Sequence, residues 1–146
     1  MTVVEIIQPG PWLATNDRHH WAIRAARTKA WRHAASVYAR NQHAQPVEGA
    51  VEVHAVIHKA TKVHYDLDGA AATVKACVDG LRDAGVIPED DTTVVARLVV
   101  TPGPVGKPGR VVVTVTPLPR PCDGKSSNVC VGEGCYSQAC VRGDVA

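Results

Sequence analysis

The sequence predicts an α+β fold: a small mixed β-sheet packed with two main helices. Three observations lead there. Residues 51–58 alternate apolar and polar side chains, the period-2 signature of a half-buried strand. Two further β-branched runs, Thr93–Val100 and Arg110–Thr116, lie late in the chain. Two stretches rich in helix-forming residues separate the strands, at about 18–41 and 70–84. The chain has 146 residues, enough for one domain with one core. It contains no Phe, so Val and Ala fill most of that core.

Taken in order, Thr2–Ile7 reads as a short strand ended by Gln8-Pro9-Gly10-Pro11. A loop follows, with Asn16 or Asp17 as the expected N-cap of a first helix over Arg18–Asn41. In that helix Trp21, Ala25, Thr28, Ala35 and Val37-Tyr38 form the expected apolar stripe, with Arg24, Arg27, Trp31 and Arg32 largely elsewhere. Gln45-Pro46 is the expected stop. A second strand is expected over Val51–Tyr65, broken near Lys59-Ala60-Thr61. The second helix is expected over Ala70–Ala84, with Gly85 in the left-handed C′ position. Its Val74, Cys77, Val78 and Leu81 recur at helical spacing and face the sheet, which makes Cys77 a buried, inert thiol. The last two runs, joined by a Pro- and Gly-rich loop at 101–109, read as a long hairpin.

Charge is distributed unevenly although the net formal charge is only +2. Residues 16–45 carry a net +5 and residues 66–91 a net −5. A basic element binds phosphates and an acidic one concentrates a divalent cation. The acidic part begins with Asp66-Leu67-Asp68. At the end of an extended strand, residues two apart point to one side, so these carboxylates are expected to project together. Two carboxylates plus substrate phosphate is an ordinary way to hold Mg²⁺. The competing reading is an Asp-rich turn with Asp68 capping the next helix. His54 and His58 lie about 13 Å apart along a strand, too far for one zinc ion.

Residues 64–95 resemble a known family. The run Asp66-Leu67-Asp68, then Lys75-Ala76-Cys77-Val78-Asp79-Gly80-Leu81, Ala84-Gly85-Val86-Ile87 and Asp90-Asp91-Thr92-Thr93-Val94 is similar to the RusA-type Holliday junction resolvases. The resemblance is weaker over 9–40 and absent beyond about 118. It departs from the family at Gly69, where the family has Asn, and in a longer gap from Asp68 to Lys75. It implies a homodimeric, Mg²⁺-dependent endonuclease for four-way DNA, of a type often carried by phages. It further implies metal-binding carboxylates at Asp66, Asp68 and Asp91, with Asp90 the alternative third, and a catalytic lysine at Lys75. The within-chain arrangement of the three carboxylates is the expected one, with completion by a partner's Asp91 the alternative. Arg18, Arg24, Arg27 and Arg32 on the first helix, and Lys107 in the late loop, are the expected DNA-binding residues; an ordinary solvated face is the rival for the helix. Rival functions are a branched-DNA-binding module without cleavage and a general metal-dependent nuclease acting on flaps or single strands.

Two segments complete the expectation. Residues 1–118 form the RusA-like domain, and 119–146 a flexible tail, rich in Gly, Ser and polar residues. Cys122, Cys130, Cys135 and Cys140 fall in that tail without a Cys-x-x-Cys pair; a metal-bound or oxidised module is the alternative. No secretory leader or membrane span is legible, so a cytoplasmic protein with reduced thiols, in a bacterial or phage-infected cell, is expected.

Overall fold

The structure is a computed structural model that describes residues 1–16 and 18–119. The chain runs β1 (Thr2–Ile7), α1 (Trp21–Asn41), β2 (Val51–His58), α2 (Leu67–Asp83), β3 (Val95–Pro102) and β4 (Arg110–Pro117). The four strands make one mixed sheet in the order β1-β4-β2-β3. This is the α+β arrangement expected, with two helices on one four-stranded sheet. The expected tail and its four cysteines lie outside the described residues, as does Asp17.

The core follows from strand periodicity. Val4 and Ile6 of β1, Val51, Val53, Ala55 and Ile57 of β2, and Val111, Val113 and Val115 of β4 all point to one face and are buried. The helices cover that face with Trp31, Ala34, Ala35 and Ala39 of α1 and Val74, Cys77, Val78 and Leu81 of α2. The stripe expected on α2 is therefore the buried one. The C′ glycine is also in place: Gly85 has φ +78°, a left-handed conformation that costs glycine little.

The late hairpin is corrected. β3 pairs in parallel with β2, and β4 pairs antiparallel with both β2 and β1, so β2 lies between the two runs. A β2-α2-β3 crossover delivers β3 to the far side of β2, as parallel strands require. The loop 103–109 then passes over the end of β2. It is tied there by Gly103 N–H to the Ile57 carbonyl (2.8 Å) and Gly106 N–H to the Lys59 carbonyl (3.0 Å).

α1 also differs from expectation. It begins at Trp21, with His20 as N-cap, its Nδ1 accepting from Ala22 N–H at 3.3 Å. Asn16 therefore does not cap it. The helix stops at Asn41, before Pro46, where His43 turns left-handed at φ 53°. Trp31, expected off the apolar stripe, is fully buried, while Trp21 is 74% exposed. Only the second half of α1 packs on the sheet and α2, so the apolar positions of its first turns have no partner face among the described residues. Gly80 sets the closeness of the two helices. A β-carbon there would overlap the Arg32 carbonyl and lie 2.6 Å from the Ala35 β-carbon.

Candidate functional site

The site is built where β2 gives way to α2. β2 ends at His58, and residues 59–66 carry the chain to α2 without regular structure. The helix begins three residues earlier than expected, at Leu67. Asp66 is thus its N-cap residue (φ −81°, ψ 132°) and Asp68 lies in its first turn. The expected placement of both carboxylates on a strand end is corrected: they flank the first residue of a helix. The physical reason is that acidic side chains interact favourably with the positive end of the helix dipole.

The loop before α1 holds this end of α2 in place. Thr73, fully buried, accepts from Leu13 N–H (3.1 Å) and donates to the Leu13 carbonyl (2.7 Å). Thr15 N–H donates to the Gly69 carbonyl (2.9 Å), and the Thr15 hydroxyl donates to the Asp68 carbonyl (3.0 Å). Between loop and helix opens a pocket of about 510 Å³ lined by Thr15, Asn16, Tyr65, Asp66, Leu67, Asp68 and Gly69. Asp66 makes no side-chain cap hydrogen bond. Among the described residues neither carboxylate has a hydrogen-bond or ion-pair partner.

The other expected site residues are engaged elsewhere. Lys75 donates to Asp79 Oδ1 (2.7 Å) and to Asp90 Oδ2. Arg82 donates to Asp90 Oδ1 at 2.8 Å. Hydrogen bonds from Lys75, then its charge and that of Arg82, hold the Asp90 carboxyl well below the usual range. The same bonds, with Asp79 first, raise the Lys75 ammonium. Asp91 caps its own turn: Oδ1 accepts from Thr93 N–H (2.9 Å), the Thr93 hydroxyl (2.5 Å) and Val94 N–H (3.3 Å). These bonds, led by the Thr93 hydroxyl, lower its carboxyl.

Asp68, Lys75, Asp79 and Arg82 recur at helical spacing on one face of α2. Seven residues put Lys75 about 10 Å along the axis from Asp68. The structure thus brings Asp66 and Asp68 to one pocket and leaves Asp90 and Asp91 in local partnerships beyond it. The expected within-chain convergence of three carboxylates is not formed. Among the described residues no group of three or more His, Cys, Asp or Glu side chains is placed to hold a metal ion. The donors that the pocket does present are all oxygens suited to a hard cation: two carboxylates, with the Thr15 hydroxyl and Asn16 amide beside them. Asp66 and Asp68 therefore fit Mg²⁺ as a two-carboxylate pair, without Asp90 or Asp91 of the same chain.

The expected DNA-binding residues divide. Arg18 is exposed two residues beyond Asn16 of the pocket, and Arg24 lies on the exposed first half of α1 with Arg27 half-buried beside it. Lys107 is exposed in the loop over the end of β2. Arg32 is committed to Asp83, with bonds of 2.5 and 2.7 Å that tie α1 to α2. This bidentate bond lowers the Asp83 carboxyl.

One cation was not legible as a site residue. In the sequence Lys59 stands out only as part of a break in the second strand. Its ammonium lies 3.7 Å from the centre of the Trp12 ring and 4.8 Å from that of Tyr65. Only the tertiary packing of Trp12 on Trp31, with ring centres 4.9 Å apart, creates this seat.

No family model matches the chain, and no curated protein matches it. Among the described residues no helix is long and apolar enough to cross a membrane.

Proposed function

We propose that the chain is a Mg²⁺-dependent, structure-selective endonuclease that resolves four-way DNA junctions, acting as a homodimer in the cytoplasm of a bacterial or phage-infected cell. The observation that carries this reading is the pair Asp66 and Asp68, both without partners among the described residues and both lining one open pocket. Two adjacent acids at a helix start are common. What supports more than a helix end here is their coincidence with the residue pattern of 64–95, which is similar to the resolvases, and with the basic residues that follow Asn16. Asp66 and Asp68 hold the cation. When bound, Mg²⁺ supplies an activated water and offsets charge at the phosphodiester. Arg18, Arg24, Arg27 and Lys107 bind the DNA backbone and orient it by charge. Two copies related by a two-fold axis match the symmetry of a four-way junction.

A second reading, a branched-DNA-binding module without cleavage, is favoured by one specific observation. Asp90 is held by Lys75 and Arg82, and Asp91 by its own turn, so the third carboxylate is not delivered within one chain. Under the nuclease reading that third carboxylate comes from Asp91 of a partner subunit or is dispensed with. Incubation of a labelled four-way junction and a linear duplex with the protein, in Mg²⁺ and in chelator, separates the readings. The nuclease reading expects paired nicks in the junction alone, only with Mg²⁺, and lost in Asp68→Asn. Binding without nicks supports the module. Equal cutting of duplex, flaps or single strands supports a general nuclease.

A further inference from the structure

A second cavity, of about 220 Å³, opens beside the carboxylate pocket and shares Asn16, Tyr65, Asp66 and Gly69 with it. Lys59 and Trp12 form its other side. We propose that Lys59, held over Trp12 and Tyr65, receives a phosphate of the bound nucleic acid at this pocket, in place of Lys75. This rests on the nucleic-acid reading above.

Five observations support it. Lys75 has two carboxylate partners, Asp79 and Asp90, and is not available to a phosphate without breaking them. Lys59, by contrast, forms no ion pair among the described residues. Its ammonium rests on the two aromatic rings, which attract an ammonium without neutralising it. Burial alone lowers its basicity. A half-buried, uncompensated cation gains from an anion brought beside it. Finally, the Tyr65 hydroxyl is buried with no hydrogen-bond partner among the described residues, although Tyr65 lines both cavities. A buried hydroxyl without a partner is costly, and a phosphate oxygen near Lys59 would accept from it.

The electrostatics call for such a residue. Asp66 and Asp68 repel a phosphate that approaches their pocket, and a fixed positive charge in the adjoining cavity, which Asp66 also lines, offsets that repulsion. Lys59 is well placed for this because the chain holds it from several sides. Its backbone carbonyl accepts from Gly106, and Trp12 beneath it is packed on Trp31.

The test uses the full chain with its lysines ¹³C-dimethylated, the Lys59 resonance being assigned by its disappearance in Lys59→Arg. Four-way junction DNA is added in chelator, so that no cleavage intervenes. The Lys59 resonance shifts on binding. In parallel, Lys59→Met reduces by about 1 the slope of log affinity against log salt, and Lys59→Arg restores it. A Lys59 resonance that stays fixed while the junction binds, or an unchanged slope in Lys59→Met, overturns the proposal. If Lys59→Met fails to fold, the wild-type resonance alone decides. Should Lys59 shift while Mg²⁺ produces no nicks, the nuclease reading falls and the phosphate seat stands. Should nicks appear while Lys59 stays fixed, the seat falls alone. A wild-type chain that binds no junction overturns both.

Discussion

Lys75 donates a hydrogen bond to Asp90, and through this contact two residues expected at one active site neutralise each other on the flank of α2. Arg82 completes the cluster from the other oxygen. The pairing has a consequence for pH. The folded state holds the Asp90 carboxyl below its ordinary 3.8. A depressed carboxyl contributes stability that is present above the unfolded value and lost as pH falls through the folded one. Urea unfolding followed between pH 6 and 2 shows stability falling below about pH 4, and Asp90→Asn flattens that fall. An identical pH profile in Asp90→Asn contradicts the pairing.

At Gly80 the two helices approach closely. Gly80→Ala places a methyl group against the Arg32 carbonyl and the Ala35 side chain. Overpacking of this kind costs about 1–3 kcal/mol. Chemical denaturation measures it directly. A more stable variant, as helix propensity alone would give, contradicts the close approach.

The clamp on the pocket is tested through Thr73. Thr73→Val keeps the shape but leaves Leu13 N–H without its partner in a buried position. A buried donor left unpaired costs about 1–3 kcal/mol. Hydrogen exchange at Leu13 and Thr15 amides accelerates in the variant beyond what the global loss explains, because the loop is released locally.

Cys77 is fully buried, and burial pushes its thiol well above the ordinary range. With Cys122, Cys130, Cys135 and Cys140 replaced by Ser, native protein reacts with an aromatic disulfide only at the rate at which it unfolds. Rapid reaction under native conditions contradicts the packing of α2.

Much of the fold was legible because one face of each central element is buried. Burial alternates along β2 as far as Ile57 and along β4, and the Val74, Cys77, Val78, Leu81 stripe is unbroken. Three features were not legible, each for a physical reason. Trp31 fell off the expected stripe because the first half of α1 projects beyond the sheet, so Trp21 does not define the buried face. α2 starts earlier than its composition suggests because Asp68 and Gly69 are weak helix formers, whereas their terminal position makes Asp tolerable. β3 and β4 are neighbours in sequence and suggest a hairpin, while the crossover through α2 inserts β2 between them. At the site, the residue types and spacing identified Asp66 and Asp68. They did not show that Lys75 and Arg82 engage Asp90, that Thr93 engages Asp91 within its own turn, or that Lys59 lines the cavity beside the pocket, the last because it follows from contacts between distant segments.

Arg32 and Arg24 give contrasting expectations on the same helix. Arg32 is held bidentately by Asp83, so Arg32→Ala lowers the melting temperature slightly and alters junction affinity little. Arg24→Ala, on the exposed part of α1, leaves the melting temperature in place and weakens binding, with a salt slope reduced by about 1. Filter binding across a salt series, with thermal melts alongside, checks both.

Asp66 and Asp68 are proposed to act together as a cation-holding pair on nucleic acid. The most direct measurement is Mg²⁺-dependent nicking of a four-way junction by the wild-type chain, Asp66→Asn and Asp68→Asn, with junction binding measured in chelator. Wild type is expected to nick the junction, with the rate reduced at least about a hundredfold in either variant while binding persists. Wild-type nicking that survives both substitutions, or binding without any nicking, contradicts it.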